Sequence, residues 1–527
     1  MKLKNYIAIV AAGLLFSISA CTDLSEPVYD SLPTFGNTLK EVNALRGSTY
    51  NTLKTYWPAN FLYLQDCGGS MAVTPTRIGG DWYDGGQFRE FYMHTWTSQT
   101  ATIKNAWNAA STAIGTCNYN IQLLENTTVL SESEKATYIA TIQGIRDFWI
   151  YVMLDNWGNI PLVTSYADRE LPLIKPRQEV FNFLVKDVTD LIPSLPDGGP
   201  ANYGQFTKGS AQFLLAKLYL NAEAWNVTVD GNAWQKCIDA CDAIMGMGYI
   251  FEPDWETNFG INDRSGEGIL TITFSETDTA DKNELMRRTL HYQDNYSDGA
   301  GYSAWNGICA QPDYVKLFDP ADMRYGGEMI KTGSFRIGKR YNITTGALLM
   351  TQHNAPLDYT VDMSMMPDSE LDKTPWGTVV QEAGARCQKW PYSTSLTEAQ
   401  GNHFHIFRYT DVYLMKAEAL VRGGGDNTEA TRLINEIRLR AFNNDNNKTY
   451  QSVGLEEIRL ERKFEMAWEA YSRQDDIRFG TFEQGAWSAS NCPRSVGDYL
   501  KLYPISQDAW QTNQNLVQNP GYAAFKK

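Results

Sequence analysis

The chain has 527 residues, 43% of them hydrophobic and 20% charged, and its 46 basic against 61 acidic side chains give a formal net charge of −15. That composition excludes whole-chain disorder and, lacking a basic footprint, makes nucleic acid a poor partner. The unusual class is aromatic: 15 Trp, 29 Tyr and 22 Phe make up 13% of the chain, weighted toward the two types with a polar tip.

In chain order, Lys2 and Lys4 precede an apolar run from Tyr6 to Ile18, followed by Ser19-Ala20-Cys21. This is the tripartite pattern of an export signal, too short for a membrane-spanning helix. The step Ile18-Ser19-Ala20-Cys21 resembles a bacterial lipobox, so residues 1–20 are expected to be removed, Cys21 lipidated and 21–36 left as a tether. Loss of the two lysines leaves 44 bases against 61 acids, a mature charge of −17. The seven other cysteines are scattered and odd in number, so no disulfide framework is expected. Cys237 and Cys241, one helical turn apart without His nearby, read as small buried hydrophobes.

Helices follow. Thr38 to Tyr56, Ser98 to Leu124 and Arg177 to Leu191 carry apolar residues at helical spacing, and Ser131-Glu-Ser-Glu134 is a capping box opening a long helix to Leu154. Thr207 to Trp225 with Asn232 to Met245, and Asp411 to Arg422 with Thr428 to Phe442, predict two helical hairpins of tetratricopeptide type. Pro253 to Gln400 differs, being rich in Gly, Pro, Asp, Asn and Ser, with strand-like pieces only at Gly268 to Phe274 and Phe335 to Tyr341. The fold class read from this is mainly α: a helical scaffold over 37–250 and 401–527 and a loop-rich ligand region at about 65–97 and 253–400, in one domain.

Motifs for chemistry are sparse. There is no HExxH, GxSxG, Walker loop or dinucleotide fingerprint among the residues around the five histidines or elsewhere. His403 and His405 share a strand face without a third ligand nearby. Asn443 to Asn447 alternates oxygen ligands like a calcium loop but has Lys448 where Gly belongs and Gly454 where the closing Glu belongs, so it reads as a polar turn. No catalytic residue, cofactor or metal is assigned, with a structural calcium left open.

Two aromatic clusters carry more information. Arg77-Ile-Gly-Gly-Asp81-Trp82-Tyr83-Asp84-Gly-Gly86 sets two flat side chains in a Gly-punctuated loop, and His291-Tyr292 through Tyr296, Tyr302, Trp305 and Asn306 forms a second. Sugars offer apolar C–H faces rimmed by hydroxyls, which suit aromatic faces flanked by Asp, Asn and Arg. The opposing reading has Trp82 and Trp305 pinning loops to the core.

The C-terminal part resembles the RagB/SusD family, surface lipoproteins of Bacteroidetes nutrient uptake. The matching stretches are Arg408-Tyr-Thr-Asp411 to Ala419, Ile434-Asn435 to Ala441, Leu455 to Trp468, Tyr499 to Pro504 and Asn519-Pro520-Gly521-Tyr522; Arg146 to Pro161 and Leu317 to Arg324 agree in order. Beside the resemblance, Arg462 is expected to pair with Glu465 along a helix and Phe464 with Trp468, as structural contacts. The resemblance implies four tetratricopeptide-like hairpins, glycan binding without catalysis, and an outer-membrane, cell-surface location through the Cys21 lipid. It also implies a SusC-like TonB-dependent transporter as partner, with this chain as its hinged lid. Ligand-binding residues expected on this basis are Arg77, Asp81, Trp82, Tyr83, Tyr296, Tyr302, Trp305 and Asn306. The alternatives are peptide cargo, a surface glycoside hydrolase and a helical adaptor without small ligand.

Overall fold

A computed structural model describes residues 35–168, 170–261, 263–275, 283–294, 304–327, 333–364, 378–392, 400–483 and 494–526. The export signal, Cys21, Tyr296 and Tyr302 lie outside the described residues.

The predicted helices form where capping chemistry places them. Helix α1 (Leu39–Leu53) opens on Thr38, whose hydroxyl accepts from Glu41 N while the Glu41 carboxylate accepts from Thr38 N. After the short α2 (Gln87–Met93) come α3 (Ala101–Glu125) and α4 (Glu132–Trp157). The Ser131–Glu134 box starts α4, and Gly158 at φ +73° stops it. Gly144 sits inside α4, where glycine costs about 1 kcal/mol relative to alanine. A Cβ there would meet the Phe206 ring at 2.2 Å, so close packing demands the exception.

Helices α5 (Arg177–Leu191), α6 (Lys208–Asn221) and α7 (Ala233–Met245) follow, then α8 (Leu285–Thr289) within the loop region. Helices α9 (Tyr409–Arg422), α10 (Asn427–Ala441), α11 (Leu455–Glu465) and α12 (Ser472–Arg478) complete the scaffold. Both expected hairpins are present as α6/α7 and α9/α10, and α7 packs on α9, joining them. Helices α3 to α7 each pack on the next. Cys237 and Cys241 are buried and free.

Strands are short. Strand β1 (Ala72–Val73) pairs antiparallel with β3 (Cys309–Ala310), and β2 (Gly268–Ile272) pairs antiparallel with β6 (Phe404–Arg408). Strand β4 (Phe335–Arg336) pairs with β5 (Arg386–Cys387). All five residues of β2 and of β6 are buried, so neither alternates. His403 and His405 serve this core: His403 Nδ1 accepts from Phe274 N, and His405 bonds Thr271 Oγ1 at 2.8 Å and the Asn258 carbonyl at 2.9 Å. Asp445 turns back on its own loop, accepting from Asn447 N.

The scaffold and the loop region meet at buried charge. Glu465 at the end of α11 accepts from Arg408 at 2.8 Å, Arg440 at 2.9 Å and Arg324 at 2.9 Å. Arg408 also reaches Glu267 and Glu469, and Lys389 holds Glu469. Burial pushes the Glu465 carboxyl up, but Arg440, Arg408, Arg324 and Lys389 outweigh it and hold the group well below the ordinary range. These bonds correct the expected Arg462–Glu465 pair: Arg462 instead bonds Asp411 at 2.5 Å and Asp475 at 2.9 Å. Helix α11 ends at Glu465 and Trp468 turns away at φ +67°, so Phe464 packs on Phe318 and not on Trp468.

Replacing Glu465 by Gln leaves three buried guanidiniums short of one charge and should cost about 3–5 kcal/mol in urea unfolding. Arg432→Ala, which removes only the half-exposed pairs to Glu429 and Glu436, should cost under about 1 kcal/mol.

Acid adds a second signature. Burial, with Arg408 nearby, pulls His405 down to about 3. The unfolded chain takes up this proton below about pH 6.5 while the folded chain stays neutral, so stability should fall between about pH 6.5 and 3. Glu465 contributes in the same direction only below about pH 4.5, and Asp66, raised by burial to about 7, runs the other way. Comparing unfolding midpoints of the parent and His405→Gln from pH 6.5 to 4.5 isolates the histidine; the variant should show the flatter profile.

Candidate functional site

The Gly-punctuated loop before α2 is folded against its preference. Gly79, Gly80, Gly85 and Gly86 take positive φ, and so do Trp82 at +60° and Asp84 at +43°. A bulky residue in the left-handed region is uncommon and costs about 1–3 kcal/mol, which surrounding contacts must over-determine. Trp82 receives those contacts. Its indole N–H donates to the Trp305 carbonyl at 2.6 Å, and its ring lies edge-on to Phe88 at 5.2 Å between centroids. Gly307 makes room: a Cβ there would stand 2.5 Å from the Trp82 ring. The two aromatic clusters, more than 200 residues apart in sequence, therefore form one surface.

Strands β1 and β3 bring the clusters together, and buried polar groups bind them. Arg77 donates Nε to Asn306 O at 2.6 Å, Nη2 to Gly307 O at 3.1 Å, and Nη1 to the carbonyls of Gln381 and Ala383 at 3.0 Å. Asn306 donates Nδ2 to Gln381 Oε1 at 2.5 Å and accepts from Arg386 at 2.9 Å. Gln381 in turn donates to the Ile78 carbonyl at 2.5 Å. Three segments, 76–86, 304–310 and 378–387, are thus tied by four side chains, those of Arg77, Asn306, Gln381 and Arg386.

Arg77 and Asn306 are each 0% exposed. This corrects their assignment as ligand contacts: their polar atoms are spent inside, because a loop crossing so many unpaired carbonyls needs internal donors. The other predicted residues lie at the surface. Tyr83 is 40% exposed, and Trp82, Asp81 and Trp305 are partly exposed. Asp81 accepts from the Tyr292 hydroxyl at 2.8 Å and from Gln381 Nε2 at 3.3 Å. Burial, and next the Asp81 carboxylate, push the Tyr292 phenol above its ordinary value, so it stays protonated as donor.

The sequence reading missed Gln381, Arg386, Arg287 and Arg288. The guanidinium carbons of Arg287 and Arg288 lie 4.6 and 5.1 Å from the Trp305 ring centroid. The Arg-Arg doublet ahead of the second aromatic cluster is a legible signal for the last two; nothing local marks Gln381 or Arg386. A surface with aromatic faces, a half-exposed carboxylate and amide and guanidinium edges can stack on and hydrogen-bond a polar ring. Among the described residues it shows no arrangement of nucleophile, base and orienting partner.

Residues 266–522 match the SusD family. The starch-binding protein SusD of Bacteroides thetaiotaomicron is 23% identical over 446 residues, covering 77% of this chain and 76% of that protein. Among solved structures, a SusD superfamily protein from Parabacteroides distasonis superposes with a TM-score of 0.71 at 19% identity, covering 92% of this chain and 99% of the other. A laminarin-binding SusD-like protein gives 0.69 at 19% identity, covering 92% and 100%. The mainly helical fold is shared with both. Among the described residues no helix is long and apolar enough to cross a membrane.

Substituting Arg77 by Met removes the donor to the carbonyls of Asn306, Gly307, Gln381 and Ala383. Amide hydrogen exchange at Ile78, Gly80 and Gly307 should then rise by at least about 10-fold, while exchange in α4 and α9 stays unchanged.

Proposed function

We propose that the chain is a SusD-like protein and, on that footing, a non-enzymatic glycan-binding protein whose ligand rests on the Trp82–Tyr83–Trp305 surface. The observation that carries the reading is the hydrogen bond from the Trp82 indole to the Trp305 carbonyl, which makes one platform of two loops. The left-handed backbone at Trp82 supports it, since strain of this kind collects where a side chain must be presented. Tyr83 and Trp305 offer apolar faces for sugar C–H groups, with Asp81 and Tyr292 as polar partners at the rim. Tyr296 and Tyr302 of the second cluster are proposed as further ligand-binding residues.

Similar proteins agree with this reading: one is a starch-binding protein and another a laminarin-binding one. The finer parts of the proposal are that Cys21 carries the lipid that holds the chain at the outer face of the outer membrane, and that a SusC-like TonB-dependent transporter receives the glycan. In that arrangement the chain acts as a hinged lid, and the acyl anchor makes a basic membrane-binding patch unnecessary for a mature chain of 44 bases against 61 acids.

Calorimetry of the purified protein against polysaccharide and peptide panels tests the proposal. At least one glycan should bind, and Trp305→Ala or Trp82→Ala should weaken it by about 10-fold or more, the loss of about 1.4 kcal/mol expected for one stacked face. Circular dichroism and melting should show both variants folded. Binding of peptides alone, or glycan affinity untouched in the double variant, would overturn the reading.

A further inference from the structure

The Asp81 carboxylate is held by one of its two oxygens. Its Oδ2 accepts from the Tyr292 hydroxyl at 2.8 Å and from Gln381 Nε2 at 3.3 Å, while Oδ1 has no partner among the described residues. A carboxylate offers about four lone-pair sites on its two oxygens and accepts without donating. Asp81 is partly exposed and precedes Trp82, whose indole is bound to the Trp305 carbonyl. One acceptor oxygen is therefore committed to the protein and the other is left open at the edge of the aromatic surface. Two donors on the same oxygen also fix the plane of the carboxylate, which at a free surface residue would rotate.

Both donors are themselves immobilised. Gln381 is buried; its Nε2 also donates to the Ile78 carbonyl at 2.5 Å and its Oε1 accepts from Asn306 Nδ2 at 2.5 Å, so only one orientation of the amide satisfies both ends. Tyr292 sits on the turn 291–294, where Asp294 N donates to the His291 carbonyl at 2.9 Å and His291 N donates to the Tyr359 hydroxyl at 2.8 Å. The Asp294 carboxylate accepts from Tyr359 at 2.9 Å, Arg336 at 3.0 Å and Arg340 at 3.1 Å, which ties the turn to buried groups. The Tyr292 ring lies edge-on to His291 at 5.4 Å between centroids. Because burial and then the Asp81 carboxylate raise its phenol, the proton stays on the Tyr292 oxygen for Asp81 to accept.

We infer that Tyr292 is a positioning residue of the glycan site: with Gln381 it holds Asp81 Oδ2 and so presents Oδ1 as the acceptor for one hydroxyl of the bound sugar. This rests on the glycan reading of the same surface. Since a carboxylate at neutral pH only accepts, the sugar unit beside Trp82 carries a free hydroxyl where it meets Asp81. An O-methyl or O-acetyl group there has no proton to give, and a sulfate ester sets a second anion against the first. A carboxylate oriented before binding spares the association the cost of ordering that side chain. Tyr292, its one proton donated to Asp81, acts through the carboxylate and not on the sugar.

The test is calorimetry of the purified protein with oligosaccharides from starch, laminarin, xylan, mannan and pectin, followed by the monodeoxy series of the tightest binder. For the parent, removing one particular hydroxyl should weaken binding about 10-fold or more, as loss of a charge-assisted hydrogen bond implies. Asp81→Ala should weaken the unmodified sugar by about the same factor and abolish the penalty at that one deoxy position. Tyr292→Phe, which keeps the ring, should weaken binding about 3- to 10-fold and reduce the same penalty, with the melting temperature of both variants close to the parent's. In the Asp81→Ala background Tyr292→Phe should add less than about 2-fold, the non-additivity of two residues acting as one. Full affinity in Tyr292→Phe, effects of the two substitutions that multiply, or deoxy penalties that all survive in Asp81→Ala would overturn the inference and leave glycan binding standing. Absence of binding by every oligosaccharide would overturn the glycan reading itself.

Discussion

The structure depends on keeping one carboxylate, that of Glu465, ionised in the interior. Desolvation of such a group costs several kcal/mol, and it is offset only by complete pairing. Arg408, Arg440, Arg324, Arg438 and Lys389 meet Glu465, Glu267, Glu469, Glu461 and Asp322, five charges of each sign. The members come from β6, α10, α11, the residue just before β2, and the loops at 322–324, 389 and 469, so these segments cannot shift against one another without breaking a pair. Hydrophobic packing alone would tolerate sliding of α9 against α11. Arg408 bound at once to Glu267, Glu465 and Glu469 does not.

Beside this balanced cluster, a second buried set is paired in the same way. Arg462, Asp411, Asp475, Arg478 and Glu418 join α9, α11 and α12, and Lys217 of α6 approaches Asp411 at 4.0 Å. Each carboxylate there has a cation. Arg77 and Arg386 have no carboxylate partner among the described residues: Arg77 binds backbone carbonyls, and Arg386 binds Asn306 Oδ1 and the Gln381 carbonyl. The molecule therefore uses paired charge to fix helices to one another and unpaired cations to gather loops whose carbonyls would otherwise be buried without donors.

Local signals were legible where the physics is local. Ser131 and Glu134 announce the start of α4 because a capping box is complete within four residues, and the α6/α7 and α9/α10 hairpins follow from helical spacing and small residues. The aromatic clusters were readable as clusters, and their composition pointed to a polar-ring ligand. Their junction was not, because the bond from Trp82 to Trp305 spans a separation no periodicity encodes. Arg77 illustrates the limit: a charged residue in a Gly-rich stretch reads as solvated, yet the folded loops surround it. Arg462 fails similarly, since the helical spacing that offers Glu465 says nothing of Asp411 and Asp475 arriving from other helices.

The way Arg77 holds the platform separates framework from surface. Its partners are the carbonyls of Asn306, Gly307, Val380, Gln381 and Ala383, which exist whatever side chain each position carries. Gly307 is the exception, since any Cβ there would strike the Trp82 ring. Loops gathered through their backbones can exchange the exposed side chains without loosening the frame, whereas the helices, gathered through Glu465 and its side-chain partners, cannot. In the proposed glycan site, ligand choice would therefore rest on side chains whose substitution is cheap, while the backbone carbonyl of Trp305 holds the strained Trp82 whatever side chain that position carries.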